Sequence, residues 1–380
     1  MADLGFIIPL DINDYLNQGQ RVNWCGGTWW TNQNLQLSGT VSGTTAKVGD
    51  DVTIQVGIQG VTNQGFTEEA QVQHVQAWVC YPNTMPGRAD ASLIVFSMQP
   101  AHGGQPPSLD LTGSPQVIFG SAQVFDYQNP ADGTYHQFSL APVWTPSDQD
   151  ILPPNTTAHV CIVGTSQGIA DVNGAADPVG LFVPNNNDLS GIDICTDPHQ
   201  GQTNITIVPI SGGQIKPGGG LHEFGFLSGA AVRDRRAQVT VEIRPVRQGN
   251  EVDPAVLKVL RSGPYAKLAF RPAAAPPRTL RLRRSTHECK GWLARIVCEA
   301  EEILEDAVEA VEGLVGWGHD DDRHGRRLKL TLPPKGLQPL VLQTDLDTSE
   351  APGSVHVFDI VQTDADGRRG GIRVGAVIVP

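Results

Sequence analysis

The stretch Ala158-His159-Val160-Cys161-Ile162-Val163 decides the fold, because a similar stretch returns later in the chain as Val355-His356-Val357-Phe358-Asp359-Ile360-Val361. Each copy is rich in β-branched residues, follows a loop that contains proline, and precedes a turn and a further apolar run. These features are typical of a buried β-strand. The repetition therefore predicts two domains built on one plan, each with an equivalent strand in its core.

The composition favours an all-β chain. Its 380 residues allow two or three domains, each large enough to bury a core of its own. The 42 glycines and 28 prolines supply the many turns that such a chain needs, and charged residues make up 18%, below the average of roughly 25%. Long disordered or coiled-coil regions are therefore not expected.

The strand patterns fall into two sets, separated by a stretch rich in glycine and proline. Apolar and polar residues alternate in Asp51–Ile58 of the first set and in Ala237–Arg244 of the second. We also predict a strand at Ala255–Ser262. The predicted parts are an N-terminal arm (1–38), a first β-sandwich (39–210), a linker (211–220) and a second β-sandwich (221–380).

An amphipathic helix is predicted inside the second set, from about residue 286 to 315. Ser285 and Glu288 form a capping box at its start. Apolar residues recur at a spacing of three and four, among them Leu293, Ile296 and Ile303. At ~1.5 Å per residue such a helix is ~42 Å long. Its apolar stripe either packs on the sheet of its own domain or contacts another subunit.

Several stretches of the first half carry a resemblance to a known family. They are Trp30-Thr31-Asn32-Gln33-Asn34-Leu35-Gln36-Leu37, Val75-Gln76-Ala77-Trp78-Val79-Cys80-Tyr81-Pro82, Val143-Trp144-Thr145-Pro146 and Asn204-Ile205-Thr206-Ile207-Val208. This half resembles the CARDB-type (cell-adhesion-related, immunoglobulin-like) domains of bacterial proteins, which share an extended opening strand, a Trp-x-Pro turn and a late strand that leads to a final one. The resemblance covers about residues 30–210. It reaches residues 230–380 only through the second core strand and the last strand.

The resemblance implies both a fold and a role. The expected fold is all-β, with two tandem antiparallel immunoglobulin-like β-sandwiches and one long α-helical insertion in the second domain. CARDB-type domains commonly act as adhesion, spacer or assembly modules and share no catalytic residues. The chain departs from that family by its long helix and by an N-terminus without a secretion signal.

The N-terminus and the cysteines bear on the compartment. Met1–Leu10 has no basic region and no long apolar run, so it does not match a signal peptide. No window reaches the ~20 apolar residues of a membrane span. We therefore expect a cytoplasmic protein or one released by a non-Sec route. The six cysteines are too few for a disulfide scaffold, so free buried thiols are expected, with Cys80 and Cys161 the exception if their strands are neighbours.

Three tryptophans, Trp24, Trp29 and Trp30, lie among glycines and asparagines near the N-terminus. Indole rings at such a place form a platform for stacking on a sugar, insert into a neighbouring subunit, or cap the core of the first domain. We favour the core, and the two binding alternatives stay open.

Charge is distributed unevenly along the chain. Residues 1–211 contain 18 acidic and 3 basic residues, whereas residues 212–380 contain 22 acidic and 24 basic residues. The basic stretch of the second part includes Arg233, Arg235, Arg236, Arg281, Arg283 and Arg284. An acidic half and a basic stretch attract each other within one molecule or head-to-tail between copies, and solvated strand faces are the alternative. The net charge of −13 repels phosphate, so nucleic acid is not an expected partner.

Candidate chemistry is sparse. Gly164-Thr165-Ser166-Gln167-Gly168 matches G-x-S-x-G, but loop residues follow it where a nucleophile elbow would open a helix. His319, Asp321 and His324 are weak candidates for a zinc or calcium site. Paired carboxylates of a glycosidase have no recognisable spacing in an all-β chain, so that alternative stays open. We expect no cofactor and no enzymatic activity.

The functional hypothesis is a structural or assembly protein. It would self-associate as a homo-oligomer or filament, or dock on a larger protein assembly, through its immunoglobulin-like domains, the N-terminal arm and the helix. The residues assigned to assembly are the six arginines of the basic stretch together with Leu293, Ile296 and Ile303. The alternative is an adhesion module that binds a carbohydrate or a cell-surface ligand through Trp24, Trp29 and Trp30.

Overall fold

A computed structural model describes part of the chain. The described residues are 6–10, 27–38, 43–60, 70–84, 97–98, 109–110, 117–129, 135–172, 175–180, 194, 196–211, 221–229, 236–285, 325–332, 337–346, 350–367 and 369–380. They consist mainly of antiparallel β-strands, and the single α-helix among them is short. The all-β class is confirmed. The predicted helix at 286–315 and most of the predicted linker lie outside the described residues.

The strands of the first part of the chain run from the N-terminus to residue 211. They are β1 (Phe6–Ile7), β2 (Leu35–Ser38), β3 (Thr45–Ala46), β4 (Val52–Gly60), β5 (Ala70–Cys80), β6 (Ser97–Met98), β7 (Leu109–Asp110), β8 (Val117–Asn129), β9 (Tyr135–Trp144), β10 (Ala158–His159), β11 (Cys161–Val172), β12 (Ala175–Gly180), β13 (Gln200–Thr203) and β14 (Ile205–Ser211). A single turn of 3-10 helix, Asp148–Asp150, follows β9.

The second part of the chain contains the remaining strands and the helix. They are β15 (His222–Gly229), β16 (Ala237–Pro245), α1 (Pro254–Ser262), β17 (Arg271–Pro272), β18 (Thr279–Arg284), β19 (Arg327–Leu332), β20 (Leu337–Asp345), β21 (Ser354–Asp364) and β22 (Arg369–Val379).

In the first part of the chain, two sheets face each other, and we call this pair of sheets and its core the first unit. In one, β4 pairs with β1 and β2 along one side and with β9 along the other. In the other, β5 lies between β8 and β11, and β11 also pairs with β12 and β13. Alternate residues of both sheets meet in one apolar core, because side chains of a strand point to opposite faces in turn. The core residues include Val52, Ile54, Val56, Val75, Val79, Phe138 and Ile162.

The described parts of the predicted N-terminal arm (1–38) pair with β4 and contribute to this core. Phe6 pairs with Gly60, and Leu35 pairs with Val56. Phe6, Leu35 and Leu37 are buried in the core. These short strands complete the side of β4 that would otherwise be an unpaired edge. Apolar residues in such short runs have no strand period long enough to be recognised from the sequence.

Two further sheets face each other, and we call this pair of sheets and its core the second unit. The larger has the order β14-β22-β21-β16-β19, and the smaller has the order β15-β20-β18. Both contribute to one core, with Phe224 and Leu342 from the small sheet and Val241, Phe358 and Ile372 from the large one. The antiparallel pairs β21–β22 and β16–β21 form the centre of the large sheet.

The strand β14 lies in the second unit, whereas the sequence analysis assigns it to the first. It pairs in parallel with β22, from Ile205 opposite Arg373 to Ser211 opposite Val379. Ile205 and Ile207 on one face contact the helix, and Ile210 on the other face belongs to the second core. The domain boundaries stay predictions. An alternating pattern predicts a strand but does not say which sheet it joins.

The predicted strand Ala255–Ser262 is wrong, because this segment is the helix α1. Asp253 caps it by accepting hydrogen bonds from the main-chain N–H groups of Ala255 and Val256, both at 3.1 Å. Pro254 occupies the first turn, where its missing N–H costs nothing. The buried residues Ala255, Val256, Val259 and Leu260 recur at helical spacing and pack on β14 and β22.

Both copies of the repeated stretch contribute to a central strand, although Ala158 and His159 of the first copy lie in β10, which pairs with β3. Cys161–Val163 lies in β11 between β5 and β13, and Val355–Val361 lies in β21 between β22 and the strands β16 and β17. His159 and His356, which occupy matching places in the two copies, are both buried. The central position explains why both copies are apolar on two faces.

The two units are in close contact. Asn155 and the main chain of Gly225 exchange two hydrogen bonds of 2.9 and 2.8 Å. Thr84 donates to Oε1 of Gln362 at 2.9 Å, and that oxygen also accepts from Ser228 at 2.7 Å. The amide of Asn204 donates to the carbonyl oxygens of Asn83 and Gly371 at 2.6 and 2.9 Å. A buried polar network of this kind requires one particular orientation of the two units.

Candidate interaction surface

Two edge strands of the second unit place a set of basic side chains together. β18 is the last strand of the small sheet and β19 is the last strand of the large one. They lie side by side, since the N–H of Leu282 in β18 donates to the carbonyl oxygen of Gly325 just before β19, at 2.7 Å. We name this surface the basic edge. It consists of the exposed residues Arg278, Arg281, Arg284, Arg326, Arg327 and Lys329.

The alternation of each strand directs these side chains outward. Leu280 and Leu282 are buried in the second core, so Arg281 between them points to solvent. In β19, Leu330 and Leu332 are buried, and Lys329 points outward. The aliphatic part of the Arg281 side chain packs on Gly325. A β-carbon added to Gly325 would lie 3.2 Å from Cγ of Arg281. Side chains that are far apart in the sequence therefore meet at one edge.

Four guanidinium groups of the basic edge have no acidic partner among the residues that the structure describes. Arg283, which points to the outer face of the small sheet, forms a 2.6 Å ion pair with Glu223. By contrast, Arg281, Arg284, Arg326 and Arg327 form no ion pair with any residue that the structure describes. Their positive charge is therefore available to an anionic partner.

Apart from Trp29 and Trp30, one of the remaining predicted site residues is exposed and the others lie outside the described part of the chain. Arg236 is exposed directly before β16. The residues outside the described part are Trp24, Arg233, Arg235, Leu293, Ile296, Ile303, His319, Asp321 and His324. Among the described residues, no group of three His, Cys, Asp or Glu side chains is placed to hold a metal ion. The metal candidates stay predictions.

Trp29 and Trp30 are buried, with 0% and 1% of their surface exposed. Their rings meet edge to face at a centroid distance of 5.5 Å. The carbonyl oxygen of Trp30 accepts a 2.8 Å hydrogen bond from the N–H of Asn204, next to the contact between the units. Stacking on a sugar needs an exposed ring face. These two indoles present none, and their place in the interior agrees with the structural alternative for them.

An acidic surface lies in the first unit, on two loops that contact each other. The N–H of Gly49 donates to the carbonyl oxygen of Pro146 at 2.9 Å. Thr145 donates to Oδ1 of Asp51 at 2.7 Å. We name this surface the acidic tip, and it consists of the carboxylates of Asp50, Asp51, Asp148 and Asp150. Burial raises the pKa of Asp150, although hydrogen bonds from Ser147 oppose this.

Ser166 of the G-x-S-x-G match lies within the extended strand β11 and is fully buried. His199 and Asp197, which the sequence analysis did not connect with it, lie beside it. The hydroxyl of Ser166 donates to the main-chain carbonyl oxygen of His199 at 3.3 Å, while Nδ1 of His199 faces Asp197 at 2.9 Å. An activated serine needs its hydrogen bond to an imidazole nitrogen. In this arrangement its proton is held by a peptide oxygen.

Buried ionisable groups have structural partners. Burial lowers the pKa of His159 to about 4, and its two ring nitrogens contact Thr45 and Thr157, both at 3.1 Å. Burial also lowers the pKa of His356, and the charge of Glu350 opposes the shift only in part. Both histidines are therefore kept neutral at pH 7.

An ion triad links the helix to the large sheet. Arg373 donates two 2.8 Å hydrogen bonds to the carboxylate of Asp359 and one of 3.0 Å to Asp253, the capping residue of α1. Burial alone would lower the pKa of Arg373, but the hydrogen bonds and charges of Asp359 and Asp253 outweigh burial and raise it. The triad holds α1 against β21 and β22.

Neither a family model nor a curated protein matches the chain. In the described part of the chain, no helix combines the length and the apolar character that a membrane crossing needs.

Solved structures show weak similarity to three adhesins. The collagen adhesin CNA from S. aureus is 9% identical, with a TM-score of 0.22 over 93% of this chain and 96% of that one. The CupB6 tip adhesin from Pseudomonas aeruginosa is 9% identical, with a TM-score of 0.20 over 91% and 95%. A mutant of the CfaE adhesin of enterotoxigenic E. coli is 9% identical, with a TM-score of 0.22 over 93% and 85%. Such scores support no conclusion, and the fold description rests on the sheets of this chain.

Proposed function

We propose that the chain is a non-enzymatic structural protein that self-associates head-to-tail, with the basic edge of one copy against the acidic tip of the next. The observation that supports this most strongly is the row of exposed arginines at the edge of the second unit that form no ion pair within the described part of the chain: Arg281, Arg284, Arg326 and Arg327. Like charges held at one edge repel each other, and an anionic partner relieves that repulsion.

Head-to-tail contact follows from where the two surfaces lie. The acidic tip belongs to the first unit and the basic edge to the second, so one copy offers both halves of the contact. A heterologous contact of this kind closes into a ring or continues as a filament. Each exposed ion pair contributes only about 0–1 kcal/mol, so several must form together. The assembly should therefore weaken steeply as salt is added.

The proposal includes the finer fold assignment. We take the two units to be tandem immunoglobulin-like sandwiches of the CARDB type. Two facing sheets with one core in each unit support this, as does the central place of both copies of the repeated stretch. An exchange of hydrogen bonds between Asn155 and Gly225 joins the units, as a spacer with a defined orientation requires.

The chain itself contains a rival for the basic edge. Residues 286–324, which connect β18 to β19, contain 11 acidic and 3 basic residues. A tethered segment has a high effective concentration at the surface to which it is attached. Occupation of the basic edge by this segment would leave the chain monomeric at low salt.

The test is the mass of the particle in solution as a function of salt. Multi-angle light scattering at low ionic strength should give a mass above that of the 40.7 kDa chain, rising with concentration, and high salt should return it to the monomer. Arg281→Glu with Arg327→Glu should abolish association at low salt. Arg247→Glu with Lys267→Glu changes the net charge equally at exposed positions outside the basic edge, and should leave association intact.

Swapping the charges of the two surfaces distinguishes this specific contact from a general effect of net charge. Asp51→Lys with Asp148→Lys should also abolish self-association, and mixing this variant with the Arg281→Glu, Arg327→Glu variant should restore a complex of the two. A monomer at every salt concentration, or equal loss in the control variant, would exclude the proposal. The alternative of a carbohydrate-binding module has no support from Trp29 and Trp30, because both rings are buried.

A further inference from the structure

Two cysteines face each other where β5 ends and β11 begins in the first unit. Cys80 at the end of β5 is directly opposite Cys161 at the start of β11 in an antiparallel pair, and both are free thiols. Residues directly opposite in such a pair have Cα atoms about 4.5–5.5 Å apart. Disulfides span Cα separations of about 4.4–6.8 Å. The backbone is therefore already at the separation that an S–S bond requires.

We propose that Cys80 and Cys161 are a redox pair that forms a cross-strand disulfide in an oxidising compartment. Their side chains lie on the face of the sheet opposite the apolar core, because their neighbours Val79 and Ile162 point into that core. The amide of Gln202 donates to Sγ of Cys161 at 3.0 Å. Bond formation on this face leaves the packing of the core unchanged.

The chemistry is a thiol–disulfide exchange with a small disulfide such as oxidised glutathione. The thiolate of one cysteine attacks the glutathione disulfide and releases one glutathione thiolate, which leaves a mixed disulfide. The second cysteine thiolate then displaces the remaining glutathione and forms the S–S bond. The two cysteines are oxidised by two electrons, one glutathione disulfide is reduced to two thiols, and the two protons pass to those thiols.

Burial determines when this reaction occurs. Both thiols are at most 1% exposed, and burial raises the pKa of Cys80 and of Cys161, the latter also because of the nearby Cys80. In the folded chain the thiols are therefore rarely deprotonated and rarely accessible to an oxidant. The bond forms while β5 and β11 pair during folding, before the strands are covered.

Oxidation has a structural consequence for both units. The bond closes a long loop from residue 80 to residue 161. In the chain-entropy model, the stabilisation that a disulfide provides increases with the length of the loop it closes. The segment Tyr81–Thr84 follows Cys80 directly. The N–H of Thr84 donates a 3.0 Å hydrogen bond to the carbonyl oxygen of Leu227 in the second unit. The disulfide would therefore hold the strand that leads into the contact between the units.

The experiment is refolding of the full chain in glutathione buffer with the reduced form in excess. A variant with Cys25, Cys195, Cys289 and Cys298 replaced by Ser keeps only the pair, and Cys161→Ser added to it is the matched control. Alkylation in denaturant followed by intact mass should show no label on the pair variant and one label or one glutathione adduct on the control. The Tm of the oxidised pair variant should exceed that of its reduced form by about 5 °C or more.

Other outcomes would overturn the proposal. Two labels or two glutathione adducts on the pair variant would show that the thiols do not join, and a lower Tm on oxidation would show that the bond strains the sheet. Should the fourfold serine variant fail to fold, peptide mapping of the unsubstituted chain under non-reducing conditions decides the matter. A cross-linked peptide containing Cys80 and Cys161 supports the pair, and cross-links from either residue to another cysteine contradict it.

Discussion

The indole of Trp30 lies against Gly371, so that a β-carbon on Gly371 would be 2.6 Å from both Cε2 and Cζ2 of the ring. Trp30 comes from the N-terminal region and Gly371 from β22, the last strand of the chain. The same added carbon would be 2.8 Å from the carbonyl oxygen of Ile360. The first and last parts of the sequence therefore share one tightly packed contact, and it has no room for an extra methyl group.

Replacing Gly371 by Ala should destabilise the fold by about 2 kcal/mol, because either the indole or the strand must move to admit the methyl group. Urea denaturation followed by tryptophan fluorescence measures the change in free energy of unfolding. Gly249→Ala is the control, since nothing lies within 4 Å of a β-carbon at that position. An equal, small effect of both substitutions would show that the contact is loose.

Gln362→Leu should destabilise the fold by about 3 kcal/mol, because it leaves the hydroxyls of Thr84 and Ser228 without their buried acceptor. It should also separate the unfolding of the two units in a calorimetric scan, since Thr84 belongs to the first unit and Gln362 to the second. Gln238→Leu removes an exposed hydrogen bond to Thr331 and should change stability by less than about 0.5 kcal/mol. A single unchanged transition for Gln362→Leu would contradict the coupling.

Arg373→Met should cost about 3–5 kcal/mol, because it leaves the buried carboxylate of Asp359 and that of Asp253 without their counter-charge. Arg244→Met removes an exposed ion pair with Glu242 and should cost about 0.5 kcal/mol or less. Chemical denaturation of both variants at pH 7 measures the difference, and an equal, small loss in both would contradict the prediction.

Because of His159, the free energy of unfolding should decrease as the pH is lowered from about 6.5 to about 4. Its pKa is 6.5 in the unfolded chain and about 4 when buried, so in this window the unfolded state binds the extra proton and is favoured. The full effect of this shift is about 3 kcal/mol. His356, whose pKa burial also lowers, should act in the same direction. His159→Gln should flatten the profile of the free energy of unfolding against pH, and a profile identical to that of the unsubstituted chain would contradict the assignment.

Much of the strand plan could be predicted from the sequence, but the site could be predicted only in part. Alternation in Asp51–Ile58 and Ala237–Arg244 identified β4 and β16, because a half-buried strand repeats every two residues. The helix at Pro254–Ser262 was missed, because nine residues are too few for a clear helical period. Arg281 and Arg284 were recognised as part of a basic stretch, but Arg326 and Arg327 were not connected with them, because 41 residues separate Arg284 from Arg326 in the sequence.

By itself, the sequence determined the all-β class, the two central strands and the separation of acidic from basic halves, since these follow from local period and composition. The tertiary structure alone decided that β14 joins the second unit, that Trp30 packs on Gly371, that Cys80 faces Cys161 and that β18 lies beside β19. Each of these is a pairing between distant segments. Register and sheet order depend on how whole surfaces fit together, and no local pattern of residues encodes that choice.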